Sequence, residues 1–337
     1  MDALPQKLPA SPPRPRATRR PLVSVCIVNW NCQAELRNCL RSLRPRRQRV
    51  RLEIIVIDNH SSDGAPEMVA REFPRVRLVR NPTNVGFARG CNQAARLARG
   101  RYLFFLNNDT VLPRETLARL VRFSREQPDA GLIGPRLRDG KGRIQCSARC
   151  RPSVAALMHR LALLRWTGLF RRAYSRYRGR EEGGEQPRAV EVLMGAALLM
   201  PRRLYRQVGG WDEGYTFGGE DIDLCTRVAR SHRVIYHPGI EILHLGRVSS
   251  RLHAGFATAH TLVGITRSVR QGGASRLALL LYKLAFTLDL PLRLTGQLIR
   301  LGWGHLRGRE RVVARARGEL AGFAYFLRHA LVSFWKA

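Results

Sequence analysis

Short apolar runs alternate with helical stretches over residues 22–106, and this alternation constrains the fold more than any other feature. A short continuous apolar run bounded by turn residues is typical of a strand buried on both faces of a parallel sheet. Strands that alternate with helices predict an α/β fold with a doubly wound, mostly parallel, Rossmann-like sheet. The predicted strands are Leu22–Val28, Leu52–Ile57, Val76–Val79 and Tyr102–Leu106, and the predicted helices are Gln33–Leu43, Ala65–Glu72 and Ala88–Ala98.

Polar side chains follow three of these strands at the point where each strand ends. They form the clusters Asn29–Asn31, Asp58–Asn59 and Asn107–Asp109. Because ligands of such sheets bind beyond the carboxyl ends of the strands, we expect the three clusters to meet in one cleft. The sequence has neither a GxGxxG turn after the first strand nor a Walker loop, so a bound nucleotide would be held by side chains and a metal.

Net charge and cysteine content indicate which partners the protein attracts and whether its thiols are reduced. The chain of 337 residues carries a formal net charge of +34, and only four of its 59 basic residues are lysine. Even after a general bias towards arginine is discounted, such a surface attracts phosphate-rich partners: nucleic acid, nucleotides or anionic lipid head groups. The seven cysteines contain no CxxC pair, which favours reduced thiols in a cytosolic setting over a disulfide scaffold.

Composition divides the chain into three parts. Residues 1–21 are rich in proline and arginine and lack an apolar core, which predicts a disordered arm and not a signal peptide. Residues 22–246 carry the α/β pattern, with a basic amphipathic insertion at about 151–180. Residues 247–337 hold fifteen lysines and arginines against three acidic residues and are predicted to form a basic, amphipathic helical extension.

Six segments that follow one another in a fixed order identify a family. They are VSVCIVNWN (Val23–Asn31), IIVIDNHSSDG (Ile54–Gly64), NVGFARGCNQA (Asn84–Ala94), FFLNNDTVL (Phe104–Leu112), GGWDE (Gly209–Glu213) and FGGEDIDLCTRV (Phe217–Val228). Together they resemble glycosyltransferase family 2, specifically its rhamnosyltransferase-like bacterial members, which have a GT-A fold. The resemblance covers about residues 22–250 and implies inverting transfer of a sugar from a nucleotide-diphosphate donor to an acceptor hydroxyl.

The resemblance implies a divalent cation, Mg²⁺ or Mn²⁺, at Asp109. A cation between a carboxylate and the phosphates neutralises the charge of the departing nucleoside diphosphate. This sequence departs from the two-acid pattern of the family, because Asn107 stands where the first aspartate would be, and we expect a weaker metal site. His244 matches the family histidine that completes the metal shell, although a structural role for it stays open; His237, followed by Pro-Gly, is expected to be a turn residue.

The resemblance also assigns the general base to Asp221, in a Glu-Asp pair that opens a predicted helix. Inverting displacement needs one carboxylate within hydrogen-bond reach of the acceptor hydroxyl. An aspartate at a helix start can instead be an N-cap, and this alternative stays open. Glu220 is expected to contact the acceptor or support the loop, whereas Asp223 and Arg227 are expected to form a helix-stabilising pair.

The remaining site residues are assigned to the two substrates. Donor binding is assigned to Asn29, Asn31, Asp58, Asn84, Gly90, Asn92, Asn107 and Asn108, with Asp58 reading the pyrimidine base. Acceptor binding is assigned to Gly195, Trp211, Asp212 and Glu220. Two alternatives stay open: the glycines of Asn84–Asn92 serve a tight turn, and Trp211 is a buried core residue. Asp63 is expected to do no more than cap the following helix.

Two leucine-rich basic stretches raise the question of a membrane. In Arg276–Trp303 the charges of Lys283, Asp289 and Arg293 leave no uncharged stretch near the roughly 20 residues of a spanning helix. We therefore expect interfacial helices that lie on the anionic cytoplasmic leaflet, so that the protein is peripheral on the inner face of the cell membrane. The stretch Ser153–Tyr177 is similar, and the alternative for both is packing on the domain with solvated arginines.

These observations predict an inverting, metal-dependent glycosyltransferase. By resemblance it would move L-rhamnose from a dTDP- or UDP-linked donor to a cell-envelope glycan or a polyprenyl-linked acceptor. The alternative is a catalytically inactive membrane-surface or nucleic-acid binding protein on the same scaffold, which the loss of an acid at Asn107 favours. No recognised nucleic-acid module accompanies the arginine-rich loop Arg44–Arg51, so no nucleic-acid partner is expected.

Overall fold

The computed structural model describes residues 20–179, 184–246 and 254–337, and the rest of the predicted arm lies outside this range. The strands are β1 Val23–Asn29, β2 Leu52–Asp58, β3 Arg77–Arg80, β4 Tyr102–Asn107, β5 Thr110–Val111, β6 Ala130–Arg138, β7 Ile144–Gln145, β8 Ala148–Arg149, β9 Arg188–Ala189, β10 Val192–Leu193, β11 Ala197–Pro201 and β12 Arg233–His244. The helices of the first part are α1 Gln33–Ser42, α2 Pro45–Gln48, α3 Ala65–Glu72, α4 Phe87–Leu97, α5 Thr116–Glu126, α6 Val154–Met158, α7 Ala162–Thr167, α8 Arg171–Arg178, α9 Arg202–Gln207 and α10 Glu220–Val228. The helices that follow are α11 Ala254–Gln271, α12 Arg276–Leu306, α13 Glu310–Tyr325 and α14 Leu331–Lys336, with a π-helical turn at Phe326–Ala330.

The main sheet has the order β3-β2-β1-β4-β11-β6-β12-β5, with β7 on β6 and β9 on β12. The first four strands are parallel, β11 is antiparallel to both of its neighbours, and β6 and β12 are parallel. A separate ladder joins β8 and β10. This architecture confirms the predicted doubly wound, mostly parallel sheet, and the four predicted strands lie within one residue of their observed ends.

Both faces of the sheet are buried, which explains the continuous apolar runs. Alternate residues of a strand point to opposite faces. Val25 and Ile27 of β1 pack with residues of α1, α3 and α5, whereas Cys26 belongs to the core that includes α4 and the C-terminal helices. Each face therefore needs an apolar side chain at every second position, and the two patterns add up to an uninterrupted run.

The segment Arg233–His244 is one strand with an interruption at residues 238–240. Tyr236 and His237 pair with Gly134 and Pro135 of β6, and pairing resumes with Glu241 opposite the next residue of β6. Three residues of β12 therefore bulge out while β6 continues without interruption. Pro238 lies in this bulge, where its missing N–H breaks no ladder hydrogen bond.

The C-terminal extension is helical, but its central stretch differs from the expectation of separate interfacial helices. Arg276–Leu306 is a single helix of 31 residues that continues through Pro291. Two of the charged residues that interrupt its apolar sequence have buried side chains that bond to the protein. Lys283 Nζ donates to the Trp335 carbonyl at 2.9 Å, and Asp289 accepts from Ala162 N at 2.9 Å. One face of α12 thus packs on the rest of the protein, which agrees with the alternative that these helices pack on the domain.

The opposite face of α12 is apolar and exposed. Among its exposed side chains are Leu277, Leu281, Leu284, Leu288 and Leu292. This spacing places the five leucines along one side of the helix. Within the described residues, no helix combines the length and the apolar character needed to cross a bilayer. The arginine-rich segment after α1, expected as a loop, contains the single helical turn α2.

Candidate active site

The polar ends of β1, β2 and β4 meet at one edge of the sheet, as the sequence predicts. Asn29 pairs in register with Asp58, and its neighbour Val28 pairs with Asn107. Asn29 Nδ2 donates to Asp58 Oδ1 at 3.0 Å, and Asn29 Oδ1 accepts from Asn108 Nδ2 at 2.7 Å. Asp58 also accepts from the backbone N–H and the hydroxyl of Ser61, at 2.9 and 2.6 Å. These bonds hold Asp58 and Asn29 rigidly at the strand ends.

Two neighbouring loops are tied together above this network. Asn31 adopts a left-handed backbone with φ of 49°, and its Oδ1 accepts from Ser62 N at 2.8 Å. Asp63 accepts from Gln33 N at 2.7 Å and from Ala65 N at 3.1 Å. Asp63 is not the N-cap of α3, which is Gly64, and it does more than the prediction held, because its carboxylate accepts from the first N–H of both α1 and α3.

The predicted donor residues of α4 and the preceding turn divide into two groups. Asn84 Oδ1 accepts from Asn59 Nδ2 and Gly86 N at 3.1 and 2.9 Å, which places it beside the end of β2. Gly90 instead lies against β1: a Cβ there would stand 2.9 Å from a methyl group of Val28. The packing of α4 on the sheet accounts for Gly90, and its assignment to the donor gains no support.

Asn92 holds the GGWDE segment in place. Its Nδ2 donates to the Trp211 carbonyl and to Glu213 Oε1, both at 2.9 Å, and its Oδ1 accepts from Trp211 N at 3.0 Å. The Tyr205 hydroxyl also contacts this oxygen. Because the whole amide is engaged by the protein, Asn92 positions a loop, and its predicted contact with the nucleotide gains no support.

Asp109 and His244, the two predicted metal ligands, stand side by side. β5 pairs with the end of β12 so that Thr110 faces His244, and this brings His244 Nε2 to 3.4 Å from Asp109 Oδ1. Both side chains are buried. Asn107 Nδ2 lies 3.4 Å from the same imidazole nitrogen. The residue that replaces the first acid of the family pattern is therefore still part of this cluster.

Gln145 of β7 fixes the orientation and tautomer of His244. Gln145 Nε2 donates to the His244 carbonyl at 2.7 Å, so its Oε1 is the atom that faces His244 Nδ1, also at 2.7 Å. A carbonyl oxygen only accepts, so Nδ1 carries the proton and Nε2 of the neutral ring keeps its lone pair towards Asp109. A metal-binding histidine usually donates its other ring N–H to a hydrogen-bond acceptor in this way.

This chemistry fits a weakly held divalent cation. Asp109 offers a carboxylate oxygen and the neutral form of His244 a ring nitrogen, and these two atoms lie 3.4 Å apart. In the described ranges no cluster of three or more His, Cys, Asp or Glu side chains could hold a metal. The two side chains would therefore share the ion with water or substrate phosphates, as is usual for Mg²⁺ sites.

Asp221 lies in the first turn of α10, behind the Gly218–Gly219 turn. Gly219, with φ of 93°, is the N-cap of the helix, so the capping alternative for Asp221 is wrong. Asp221 Oδ1 accepts from Ile222 N at 2.9 Å, and Asp221 Oδ2 accepts a weaker bond of 3.4 Å from Gly195 N. Gly195, predicted on the acceptor side, is the direct neighbour of Asp221.

Arg149 of β8 forms an ion pair with Asp221. Its Nη2 lies 3.2 Å from Asp221 Oδ2, and its guanidinium stands over the Tyr177 ring at 5.7 Å. Burial works against the charged form of Arg149, but the carboxylate of Asp221 together with Tyr177, Cys146 and Cys225 outweighs it, so that the pKa of Arg149 is raised. The two strands β7 and β8 therefore each contribute one residue: Gln145 contacts His244, and Arg149 contacts Asp221.

The two halves are joined through β4 and the start of β11. Asn107 N donates to the Ala196 carbonyl at 2.9 Å, and the residue before Ala196 is Gly195, which contacts Asp221. Asp109 follows Asn107 by two residues. The proposed base and the proposed metal ligands consequently lie at neighbouring positions on one edge of the sheet.

Glu220 has a buried carboxyl group beside Asp221. Among the described residues, its Oε2 has no hydrogen-bond partner. Burial, together with the negative charge of Asp221, raises the pKa of Glu220 to about 8. The predicted pair of Asp223 and Arg227 is confirmed, with Arg227 Nε 2.9 Å from Asp223 Oδ2.

The stability of the protein is expected to depend on the protonation of Glu220. Because the folded pKa lies above that of an unfolded glutamate, Glu220 stabilises the fold fully only below about pH 4.3, and this contribution is lost as the pH rises towards 8. We expect the Tm of the wild type to fall by a few °C more than that of Glu220→Gln between about pH 5.5 and 8. Thermal unfolding across this range measures the difference; parallel curves would contradict the assignment.

Trp211 and Asp212, both predicted on the acceptor side, are placed differently. Trp211 is 1% exposed, and its indole packs edge-on against Phe105 and Phe87 at 5.3 and 5.4 Å. This is the core environment that the alternative described, although its ring also lies next to Gly195. Asp212 pairs with Arg267 of α11 at 2.9 Å, so it ties the GGWDE segment to the C-terminal helices.

His237 is kept away from the metal cluster by its packing. Its ring stacks edge-on against Phe123 of α5 at 4.7 Å, and burial lowers its pKa. The expectation that His237 is a turn residue is wrong, because it lies in a strand next to the bulge.

Sequence reasoning missed Gln145 and Arg149. Gln145 precedes its partner His244 by 99 residues, and Arg149 precedes Asp221 by 72. The segment that carries both has no motif, repeat or periodic pattern that marks either residue. Only the pairing of β7 with β6 and of β8 with β10 brings them to the site.

The fold is that of the GT-A glycosyltransferases. The mannosyltransferase PcManGT from Pyrobaculum calidifontis, solved with GDP-Man and Mn²⁺, superposes with a TM-score of 0.52 at 21% identity, over 95% of this chain and 88% of that chain. GalNAc-T7, solved with UDP, GalNAc and Mn²⁺, gives a TM-score of 0.54 at 17% identity over 75% of this chain. The present chain spans about half, 48%, of that second structure.

Sequence comparison establishes the family. The family model for glycosyl transferase family 2 matches residues 24–208, and the chain belongs to this family. The N-acetylglucosaminyl-diphospho-decaprenol L-rhamnosyltransferase of Mycobacterium tuberculosis is 30% identical over 243 residues, which cover 66% of this chain and 76% of that protein. The resemblance to rhamnosyltransferase-like members is thereby confirmed, and the protein is a glycosyltransferase.

Proposed function

We propose that this glycosyltransferase is an inverting, metal-dependent enzyme that moves L-rhamnose from a dTDP- or UDP-linked donor to a polyprenyl-diphosphate-linked glycan. The observation that carries the proposal is a pair of adjacent contacts. Asp221 accepts a hydrogen bond from Gly195 N, and the carbonyl of the next residue, Ala196, accepts one from Asn107 N. The proposed base and the proposed metal ligands would thus adjoin on one edge. The sugar and the lipid-linked acceptor are inferred from the mycobacterial relative.

Asp221 would act as the base in a single displacement. Its carboxylate takes the proton of the acceptor hydroxyl, and the hydroxyl oxygen bonds to the anomeric carbon from the face opposite the diphosphate. The bond between that carbon and the diphosphate oxygen breaks, and the nucleoside diphosphate leaves with the electron pair. Attack from the opposite face inverts the anomeric configuration. One carboxylate is enough because the diphosphate leaves without a proton.

Asp109 and His244 would hold the divalent cation, Mg²⁺ or Mn²⁺. Bound there, the ion would neutralise the charge of the departing diphosphate. Gln145 keeps the lone pair of His244 Nε2 available for it. The network of Asn29, Asp58 and Ser61 would receive the nucleotide at the adjoining strand ends, with Asp58 at the base.

One activity assay tests the proposal. The purified chain is incubated with dTDP-L-rhamnose or a UDP-sugar and with N-acetylglucosaminyl-diphospho-polyprenol, with Mn²⁺ or with EDTA. We expect formation of a glycosylated lipid that depends on both acceptor and metal. Nucleotide binding without transfer under any of these conditions would favour the catalytically inactive alternative and overturn the proposal.

We propose further that the protein lies on an anionic membrane surface from the cytoplasmic side. The exposed leucines along α12 offer an apolar face, and the part from residue 247 onward is strongly basic. Flotation with phosphatidylglycerol-containing vesicles should recover the protein, whereas neutral vesicles should not. Replacing Leu281 and Leu288 by glutamate should abolish recovery without changing Tm, because both side chains are more than half exposed.

Arg149 is expected to position Asp221. Arg149→Ala removes the 3.2 Å ion pair and should lower kcat/KM by about 10- to 100-fold, because one bonded partner of the carboxylate is lost. Arg149→Lys keeps the charge but not the planar donor, so it should recover only part of the loss. Arg151→Ala is a matched control, since Arg151 pairs with exposed Glu191.

The measurement separates this role from a general loss of stability. Steady-state kinetics are compared at a temperature well below the Tm of each variant. Equal kcat/KM values for Arg149→Ala and Arg151→Ala would show that the ion pair with Asp221 has no part in the reaction.

A further inference from the structure

A cavity of about 500 Å³ lies between the insertion and the C-terminal helices. Its walls come from α6, α11, α12, α13 and the π-helical turn, and they are mainly apolar, with Leu157, Leu262, Phe286 and Phe326 among the lining side chains. This volume falls within the range of about 300–1,000 Å³ that is typical of small-molecule sites. The site described above uses none of these residues.

We propose that this cavity binds the isoprenoid chain of a polyprenyl diphosphate, next to the proposed acceptor site. The inference rests on the proposed function, because it places the lipid part of the proposed acceptor. An apolar cavity of this size gains free energy by removing a flexible hydrocarbon from water.

The cavity shares a wall with the turn that carries Asp221. Thr258, Ala259 and Leu262 of α11 line it. On the same helix, a Cβ at Gly264 would stand 1.7 Å from the Gly218 carbonyl oxygen, so the turn before Asp221 rests directly on α11. Residues 258 and 264 are separated by about 9 Å along a helix axis. A chain held in the cavity would therefore keep its head group close to the proposed base.

Another wall of the cavity is formed by α6, which lies close to Arg149 in the sequence. Leu157 lies on α6, which begins five residues after Arg149. The insertion thus lines the cavity, and the strand that leads into it contacts the proposed base through Arg149. This connection gives the basic insertion, which the reaction itself does not use, a role in receiving the acceptor.

Arginines at the cavity match an anionic head group. Arg160, Arg293 and Arg315 line it, together with one acidic residue, Glu319. Arg293 is paired with Asp289 and Arg315 with Glu319, whereas Arg160 is exposed and forms no ion pair within the described ranges. A diphosphate at the mouth would supply the counter-charge that Arg160 lacks. Charge complementarity therefore favours an isoprenoid diphosphate over an uncharged lipid.

The cavity also lies close to the apolar face of α12. Tyr282 and Phe286 point into the cavity, whereas Leu281 and Leu284, which alternate with them along the helix, are exposed. A helix that lies on the bilayer with this face would have the cavity directly behind it. A chain could then pass from the membrane into the protein with little exposure to water.

Gly318 allows the cavity to be blocked without disturbing the fold. It lines the cavity on α13, and a Cβ there would meet no atom within 4 Å. Gly318→Trp should fill the opening. Gly302→Trp on α12 is the matched control, because Gly302 also has open space around its Cβ and does not line the cavity.

The first test measures direct binding. Quenching of the protein fluorescence on titration with undecaprenyl diphosphate in detergent micelles gives Kd for the full chain. We expect a Kd at least 10-fold higher for Gly318→Trp and unchanged for Gly302→Trp. Arg160→Ala should weaken binding of the diphosphate and leave binding of the corresponding polyprenol unchanged. Equal affinities for all the variants would overturn the proposal.

The second test uses transfer to two acceptors that differ only in chain length. N-acetylglucosaminyl diphosphate is linked to a polyprenyl chain in one and to a methyl group in the other. Gly318→Trp should raise KM at least 10-fold for the long acceptor only. Equal effects on both acceptors, with transfer intact, would overturn the cavity proposal alone. Lipid binding at the cavity without transfer by the wild type would instead overturn the proposed function alone.

Discussion

Asp221→Asn is expected to lower the rate of sugar transfer by about 100- to 10,000-fold, the usual contribution of a positioned general base. The amide keeps the shape of the side chain, but its single oxygen can replace only one of the two carboxylate oxygens that accept from Ile222 and Gly195, and it cannot take the proton of the acceptor hydroxyl. Donor binding should be unchanged, because the nucleotide would lie at the strand ends on the other side of the site. Single-turnover transfer and calorimetric titration with dTDP measure the two properties separately.

Asp223→Asn is the matched control for this experiment. Asp223 lies on the same helix, two residues further on, and pairs with Arg227 and not with the site. Its replacement should lower the free energy of unfolding while leaving kcat close to the wild-type value. If Asp221→Asn turned over as fast as the wild type, or if both variants lost activity equally, Asp221 would not be the base.

Asp109→Asn is expected to remove the stimulation of nucleotide binding by Mn²⁺ and to lower kcat/KM by about 100-fold or more. Asp109 is the only carboxylate within the described residues that faces His244, at 3.4 Å, so its loss leaves a single strong ligand. Loss of electrostatic stabilisation at a developing anion commonly costs about 100- to 1,000-fold in rate. Titration with UDP and dTDP in the presence of Mn²⁺ or EDTA checks the binding part.

Asn107→Asp is expected to strengthen metal binding beside Asp109 and His244, the opposite of the effect of Asp109→Asn. Asn107 Nδ2 already lies 3.4 Å from His244 Nε2, so a carboxylate at this position would add a third ligand. We expect the Kd for Mn²⁺ to fall, and activity to become less sensitive to low metal concentration. Metal affinity that is the same in the wild type, Asp109→Asn and Asn107→Asp would show that the ion does not bind here.

The local pattern of the sequence was enough to predict the sheet and the edge at which the site lies. Apolar runs such as Val23–Val28 report burial of both faces, and burial is a property of each strand by itself. The polar residues that end β1, β2 and β4 meet because parallel strands share one carboxyl edge. Asp109 and Asp221 were identified because each lies in a short motif of the family.

Assignments of single residues within a motif were less accurate. Gly90 and Asn92 belong to the segment that resembles the donor site, yet one packs on Val28 and the other binds the backbone of Trp211. A motif records which residues occur together and does not separate those that touch a ligand from those that shape the loop. The bulge in β12 was missed for a related reason, because Pro238 and Gly239 also occur in ordinary turns.

The sequence by itself determined the α/β class, the order of the elements over residues 22–106, the family and the two carboxylates proposed for chemistry, since each depends on contiguous residues. Tertiary structure alone decided that Gln145 orients His244, that Arg149 pairs with Asp221, and that the charges of α12 turn inward. Such contacts join residues far apart in the chain, and their formation depends on strand pairing and helix packing. No local pattern of side chains encodes which distant atom will lie within 3 Å of another.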